Sequence, residues 1–181
     1  MSDHDAVPVQ DSVPVDEETA SPVPEETLDI DLEPAPATYV HQSSDDVTFV
    51  VMSAESVTFD LADPSPRLHL MEEDIPYRNI SIPIAIVDAQ ALYNALHGLE
   101  GRRPGTHELA SAIIRQLQVD VIAARIVRVD QGVFYAEIDL MTPRGRERFD
   151  CRTSDAVILA LRQSVPAPIL CAQEVLDSLY S

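Results

Sequence analysis

Lysine is absent: all twelve basic residues of the 181-residue chain are arginine. That excludes Schiff-base chemistry and any lysine nucleophile. Glycine is scarce, at five residues, and none of it builds a glycine-rich phosphate loop. There are two cysteines, Cys151 and Cys171. Without an export signal, a reduced pair of thiols is expected rather than a disulfide. Neither Cys-x-x-Cys nor His-x-x-x-His occurs, so no local spacing is a metal signature. The start, Met1-Ser2-Asp3-His4-Asp5, has neither the basic residues nor the apolar run of a secretory signal. No stretch approaches the roughly 20 apolar residues of a membrane span. The expectation is a cytoplasmic protein with no membrane partner.

Negative charge dominates what is present. The formal net charge is −19, and residues 1–46 contribute thirteen acids without one Lys or Arg. Repeated Val-Pro and Glu-Pro steps, few large apolar groups and self-repulsion make this segment an expected disordered, acidic, proline-rich tail. Residues 47–181 form the expected folded domain. It holds eighteen acids against twelve arginines, so it is only mildly acidic at −6. Its arginines cluster at Arg102-Arg103 and at Arg144, Arg146 and Arg148, which suits either phosphates or solvated turns.

The pattern from Asp46 is strand-like: Val47–Met52 and Ser56–Leu61, a turn at Asp63-Pro64-Ser65-Pro66, then Arg67–Met71. Asn79–Val87 reads as a further strand, with Ile80, Ile82, Ile84 and Ile86 on one parity and Pro83 marking an edge or an end. Asp88 opens or caps a helix with Leu92, Ala95 and Leu99 at helical spacing, and Gly98 sits where a left-handed C-terminal residue belongs. A second helix starts at Thr106, an N-cap candidate, with Leu109, Ile113 and Leu117 as its apolar stripe. Val119–Val129 is a long or bulged strand, Asp130-Gln131-Gly132 a hairpin turn, and Val133–Met141 its return, with Tyr135, Glu137 and Asp139 on the wet face. Thr142–Gly145 leads into a charged strand, Arg146–Arg152. Ile169–Cys171 is a short strand and Gln173–Tyr180 a last helix. The class is α+β with a mostly antiparallel or mixed sheet and about four helices.

One junction organises the rest. Arg146–Arg152 alternates charged residues, whereas Ala156-Val157-Ile158-Leu159-Ala160-Leu161 is too continuously apolar for a surface helix. Asp150, Arg152, Ser154 and Asp155 crowd the change. Ser154 is the expected N-cap, and Asp155 falls in the first turn, where the helix dipole favours a carboxylate. These residues also make an ordinary helix start with an Arg152–Asp155 ion pair.

Four ordered segments resemble the bifunctional nuclease domain family. Ile82-Pro83-Ile84-Ala85-Ile86 followed by Asp88-Ala89-Gln90-Ala91-Leu92 is similar to its Leu-Pro-Ile-Trp-Ile run and Glu-Ala-x-Ala-Ile helix start. Arg103-Pro104-Gly105-Thr106-His107-Glu108-Leu109 resembles Arg-Pro-Leu-Thr-His-Asp-Leu. Gly132-Val133-Phe134-Tyr135-Ala136 resembles Gly-x-Phe-Tyr-Ala. Asp150-Cys151-Arg152-Thr153-Ser154-Asp155-Ala156-Val157, with Ala160-Leu161-Arg162 beyond it, resembles Asp-Ala-Arg-Pro-Ser-Asp-Ala-Ile and Ala-Leu-Arg. The departures are Asp88 for glutamate, a shortened approach to that helix, Ala85 for an aromatic, Gly105 for leucine and Thr153 for proline.

The resemblance implies cleavage of phosphodiesters in RNA and DNA. Such chemistry needs an activated nucleophile, neutralised phosphate charge and a protonated leaving oxygen. On that reading His107, Asp155, Asp88, Asp150 and Glu108 are the acid/base candidates, and Arg103, Arg152, Thr106 and Ser154 the phosphate contacts. Carboxylate ligands would suit Mg²⁺ or Mn²⁺. Each residue also has a purely structural use: His107 bonding a backbone carbonyl, Asp88 capping a helix, Arg152 and Asp155 locking the junction. The competing expectation is a non-catalytic binding or regulatory module on the same scaffold, which the acidic balance and the lack of a basic stripe suit. Exposed edge strands make a homodimer a further expectation.

Overall fold

The computed structural model describes residues 47–59 and 65–181. The expectations for residues 1–46 and for the start of the Asp63-Pro64 turn lie outside them. The first strand, β1 (Phe49–Thr58), is continuous where the sequence suggests two. Its pairing with β2 (Arg67–Glu72) shifts register between Ala54 and Ser56, so the interruption is a bulge rather than a turn.

The next strand, β3 (Asn79–Pro83), stops at its proline instead of running to Val87. Helix α1 (Ile86–Leu96) starts at once. The alternation of Ile84 and Ile86 misleads because Ile86 and Val87 are exposed, at 64% and 73%, and face no core. Gly98 closes this helix with φ +62°, a conformation that favours glycine, as expected.

Helix α2 (Thr106–Gln116) is followed by β4 (Asp120–Asp130) and β5 (Val133–Thr142). Between the two strands, Gln131 and Gly132 have φ 48° and 80°, the positive pair of a type I′ hairpin. The long fourth strand is bulged twice, which explains its imperfect alternation. Strand β6 (Gly145–Arg152) runs directly into α3 (Thr153–Leu161), and β7 (Ile169–Ala172) into α4 (Gln173–Tyr180).

The seven strands form one sheet in the order β3-β2-β1-β7-β4-β5-β6. Every pairing is antiparallel except β4 with β7, which makes the sheet mixed. Proline at the end of edge strand β3 removes no needed ladder donor. Helix α3 lies across β4 and β5 and touches α1 and α2. Val157 and Ile158 are fully buried and join Leu68, Leu70, Leu92, Ile126, Ala136 and Leu176 in one core. That depth fits the continuous apolar run and fixes the helix start that carries the junction.

The wet face expected of β5 is corrected at Asp139, which has no exposed surface. Its carboxylate accepts Arg146 Nε at 2.8 Å and lies 3.8 Å from Arg148 Nε. A buried carboxylate needs such partners.

Candidate functional site

All three helices that meet near the sheet edge begin earlier than their hydroxyl and carboxylate signals suggest. The observed N-caps are Ala85, Gly105 and Arg152, none with a side-chain cap bond. Asp88, Thr106 and Ser154 therefore sit inside the first turn rather than at the cap. The shift places Asp88, Glu108 and Asp155 at equivalent third positions of their helices, where the dipole favours negative charge. It also frees Ser154 and Asp88 for each other.

Ser154 Oγ donates to Asp88 Oδ2 at 3.0 Å, and both residues are buried. Arg152 lies between two carboxylates. Its Nε and Nη2 donate to the two oxygens of Asp155, each at 2.8 Å. Its Nη1 lies 2.8 Å from Asp88 Oδ2, and Nη2 donates to Asp88 Oδ1 at 3.2 Å. The far oxygen edge of Asp155 meets His107: Nε2–H donates to Oδ1 at 2.9 Å. That tautomer follows from the ionised acceptor and leaves Nδ1 with a lone pair. The result is a continuous relay, Ser154–Asp88–Arg152–Asp155–His107, joining α1, α2 and α3.

Burial opposes ionisation of Asp155, but hydrogen bonds from Arg152 and His107 outweigh it and hold the carboxyl below its ordinary value. The same Asp155 bond, stronger than the opposing desolvation, raises the Arg152 guanidinium still further above neutrality. Both groups are charged at physiological pH. Neither cysteine competes as a nucleophile: burial pushes the thiols of Cys151 and Cys171 up to about 12.

The relay borders an open cleft of about 480 Å³ lined by Asp88, Thr106, His107, Glu108, Arg152 and Asp155, with Arg162 and Gln90. Six of the nine expected site residues thus converge, and Ser154 stands behind Asp88. Asp150 and Arg103 do not join them: both are exposed and outside the lining. Asp150 pairs across the sheet with Glu137.

Three of these residues are engaged by protein partners. Both edges of Arg152 are engaged by carboxylates, so it clamps acids rather than presenting a free fork to phosphate. Ser154 is committed to Asp88. Glu108 accepts Arg162 Nη2 at 2.7 Å on one oxygen and the Gly105 N–H on the other, which makes it a brace for the helix start. Arg162, which the sequence shows only as the end of the Ala160-Leu161-Arg162 match and not as a site residue, also donates to the Leu99 carbonyl at 2.9 Å. It stands at the C-cap of α3, and no local spacing points to Leu99 or Glu108 as its partners. The arginine cluster of β6 is likewise engaged, Arg144 with Glu147 at 3.4 Å and Arg146 with Asp139.

The expected Mg²⁺ or Mn²⁺ does not fit the groups as they stand. Asp88 and Asp155 already face Arg152, Ser154 and His107, and among the described residues no three His, Cys, Asp or Glu side chains converge as ligands.

Fold and cleft together define an α+β domain with polar side chains gathered at three helix starts. The model of the bifunctional nuclease domain matches residues 68–180, and the chain belongs to that family. The family's description is that of a nuclease domain. Two uncharacterized proteins of Mycobacterium tuberculosis, MT1877 of strain CDC 1551 and Rv1829 of strain H37Rv, are similar to it. Each is 39% identical over 87 residues, covering 47% of this chain and 51% of the relative. The chain thus spans about half the length of the curated relatives it matches. Among the described residues no helix is long and apolar enough to cross a membrane.

Proposed function

We propose that the domain hydrolyses phosphodiester bonds in RNA and DNA, with His107 as general base and Asp155 as the group that orients it. The observation that carries this is the 2.9 Å bond from His107 Nε2 to Asp155 in the wall of the cleft. It fixes the ring and leaves Nδ1 able to take a proton. Water attacks phosphorus and gives its proton to Nδ1. The bond from phosphorus to the leaving oxygen breaks, and that oxygen is protonated from solvent. Arg152 serves as a positioning residue, since its guanidinium holds Asp155 and Asp88 in register.

The engaged edges of Arg152 favour a second reading, a binding or regulatory module without turnover. With Asp88, Asp155 and Glu108 against Arg152 and Arg162, the cleft offers no surplus positive charge to a phosphate. One experiment separates the two. Metal-stripped protein is incubated with labelled single-stranded RNA and DNA, with and without restored Mg²⁺ or Mn²⁺, beside His107→Ala and Asp155→Ala. Hydrolysis at this site predicts cleavage that falls by about 10²-fold or more in either variant. Cleavage indifferent to both removes the site from the reaction, and binding without cleavage under any metal establishes the second reading.

A further inference from the structure

Behind the cleft, on the other side of the Arg162–Glu108 pair, lies a second cavity of about 340 Å³. It is formed by the end of α1, the 97–105 connection, the outward turn of α2 and the end of α3. Its lining includes Ser111, Arg115, Leu161, Arg162 and Pro104. The volume falls at the small end of the range used for ligand sites and is far larger than one water molecule.

Two buried donors on its walls have no partner. Ser111 is 3% exposed, and its Oγ makes no hydrogen bond. Arg162, whose side chain is 10% exposed, uses Nη1 and Nη2 on Leu99 and Glu108 but leaves Nε–H unpaired. A buried serine without a partner in a helix interior costs stability twice, through its unpaired hydroxyl and through its lower helix propensity relative to alanine. Nothing in the packing of α2 calls for that hydroxyl.

The unmet groups share a polarity. Ser111 O–H and Arg162 Nε–H are donors, and Arg115 adds a guanidinium at the rim. Of the two carboxylates on the wall, Glu108 has both oxygens bonded, one to Arg162 and one to Gly105, and Glu100 is exposed. The rest of the wall combines the apolar Leu161, Pro104, Ala95 and Ala112 with the polar Glu100 and Gln163. We infer that this cavity is a binding site for a small oxyanion on a short apolar body, held by Ser111 and Arg162. Because Arg162 and Glu108 line both cavities, a ligand there adjoins the brace that seats Gly105 and, two residues on, His107.

The test is a heteronuclear NMR titration of the full chain with sodium butyrate and, separately, with inorganic phosphate at constant ionic strength. One or both should produce saturable shifts at the amides of Ser111, Gln163 and Gly105. A response to butyrate alone assigns a carboxylate ligand and one to phosphate alone a phosphate ligand. Ser111→Ala should weaken that binding at least about fivefold while melting at or above the wild-type temperature, as removal of an unpaired hydroxyl predicts. Arg162→Lys, which keeps the charge and lacks Nε–H, should weaken it too. Shifts with neither compound, shifts unchanged in Ser111→Ala, or a Ser111→Ala protein that melts lower would overturn the assignment. None of these readouts depends on cleavage of nucleic acid.

Discussion

At the scale of single residues, the account rests on Asp155. Its carboxyl accepts from Arg152 and His107 while partly buried, and its native pKa is depressed. A depressed carboxylate contributes stability that is complete above its unfolded value, about 3.9, and is lost as the pH falls through the lower native value. Asp155→Asn should therefore lower stability at neutral pH by about 1–3 kcal/mol. The gap between wild type and variant, measured by urea denaturation across pH, should stay constant down to about pH 5 and close below pH 4. A gap that persists unchanged at the lowest pH would contradict the ionised relay.

Most of these residues were visible in the sequence, as was the local Arg152–Asp155 pair, whereas the partners distant in sequence were not. His107, Asp155 and Asp88 stand out as polar groups at helix starts. That Ser154 would turn from cap to Asp88, 66 positions away, follows from where Arg152 ends β6. Local grammar encodes a first turn, not which distant first turn faces it. Arg162 was visible only as the end of a matching segment, because its role depends on the Leu99 carbonyl and the Glu108 carboxylate, which only the fold brings to it.

At the scale of elements, α2 and α3 show how far periodicity carries. The continuous apolar run of α3 announced a buried helix, and Val157 and Ile158 have no exposed surface. The stripe of α2 announced a helix too, yet Leu109, Ile113 and Leu117 are 54%, 49% and 63% exposed. Amphipathic spacing gives the helix but not the neighbour that covers it. The two helices should therefore respond differently to truncation. Ile158→Ala should cost about 2–5 kcal/mol in chemical denaturation, whereas Ile113→Ala should cost under about 1 kcal/mol. Equal losses would mean that the α2 face is covered in solution.

The start of α1 was misplaced for a related reason. Alternating isoleucines ran past Pro83, but Ile84 is the last of them to pack against the core, and Ile86 and Val87 are exposed. The bulged β4, the Gln131-Gly132 hairpin and the Gly98 stop were legible because each depends on a few adjacent residues with specific backbone needs.

At the scale of the molecule, charge and core are separable. The segment 1–46 carries −13 of the −19, and the apolar groups that build the sheet and α3 lie beyond it. A protein shortened to residues 47–181 should fold, with a melting temperature within about 4 °C of the full chain and a stability change under about 1 kcal/mol. Calorimetry that finds no cooperative transition in the shortened chain would contradict that division. The family match over residues 68–180 lies within the retained part, so any nucleic-acid chemistry should remain with it.

The central claim is that the His107–Asp155 pair carries turnover rather than merely closing three helices together. Single-turnover cleavage of a labelled single-stranded RNA by Asp155→Asn, with binding of the same RNA measured in parallel, tests it most directly. The account predicts a cleavage rate lower by about 10²-fold or more with binding changed little, since the amide fails to orient His107. Cleavage at the wild-type rate by a folded Asp155→Asn protein would contradict it.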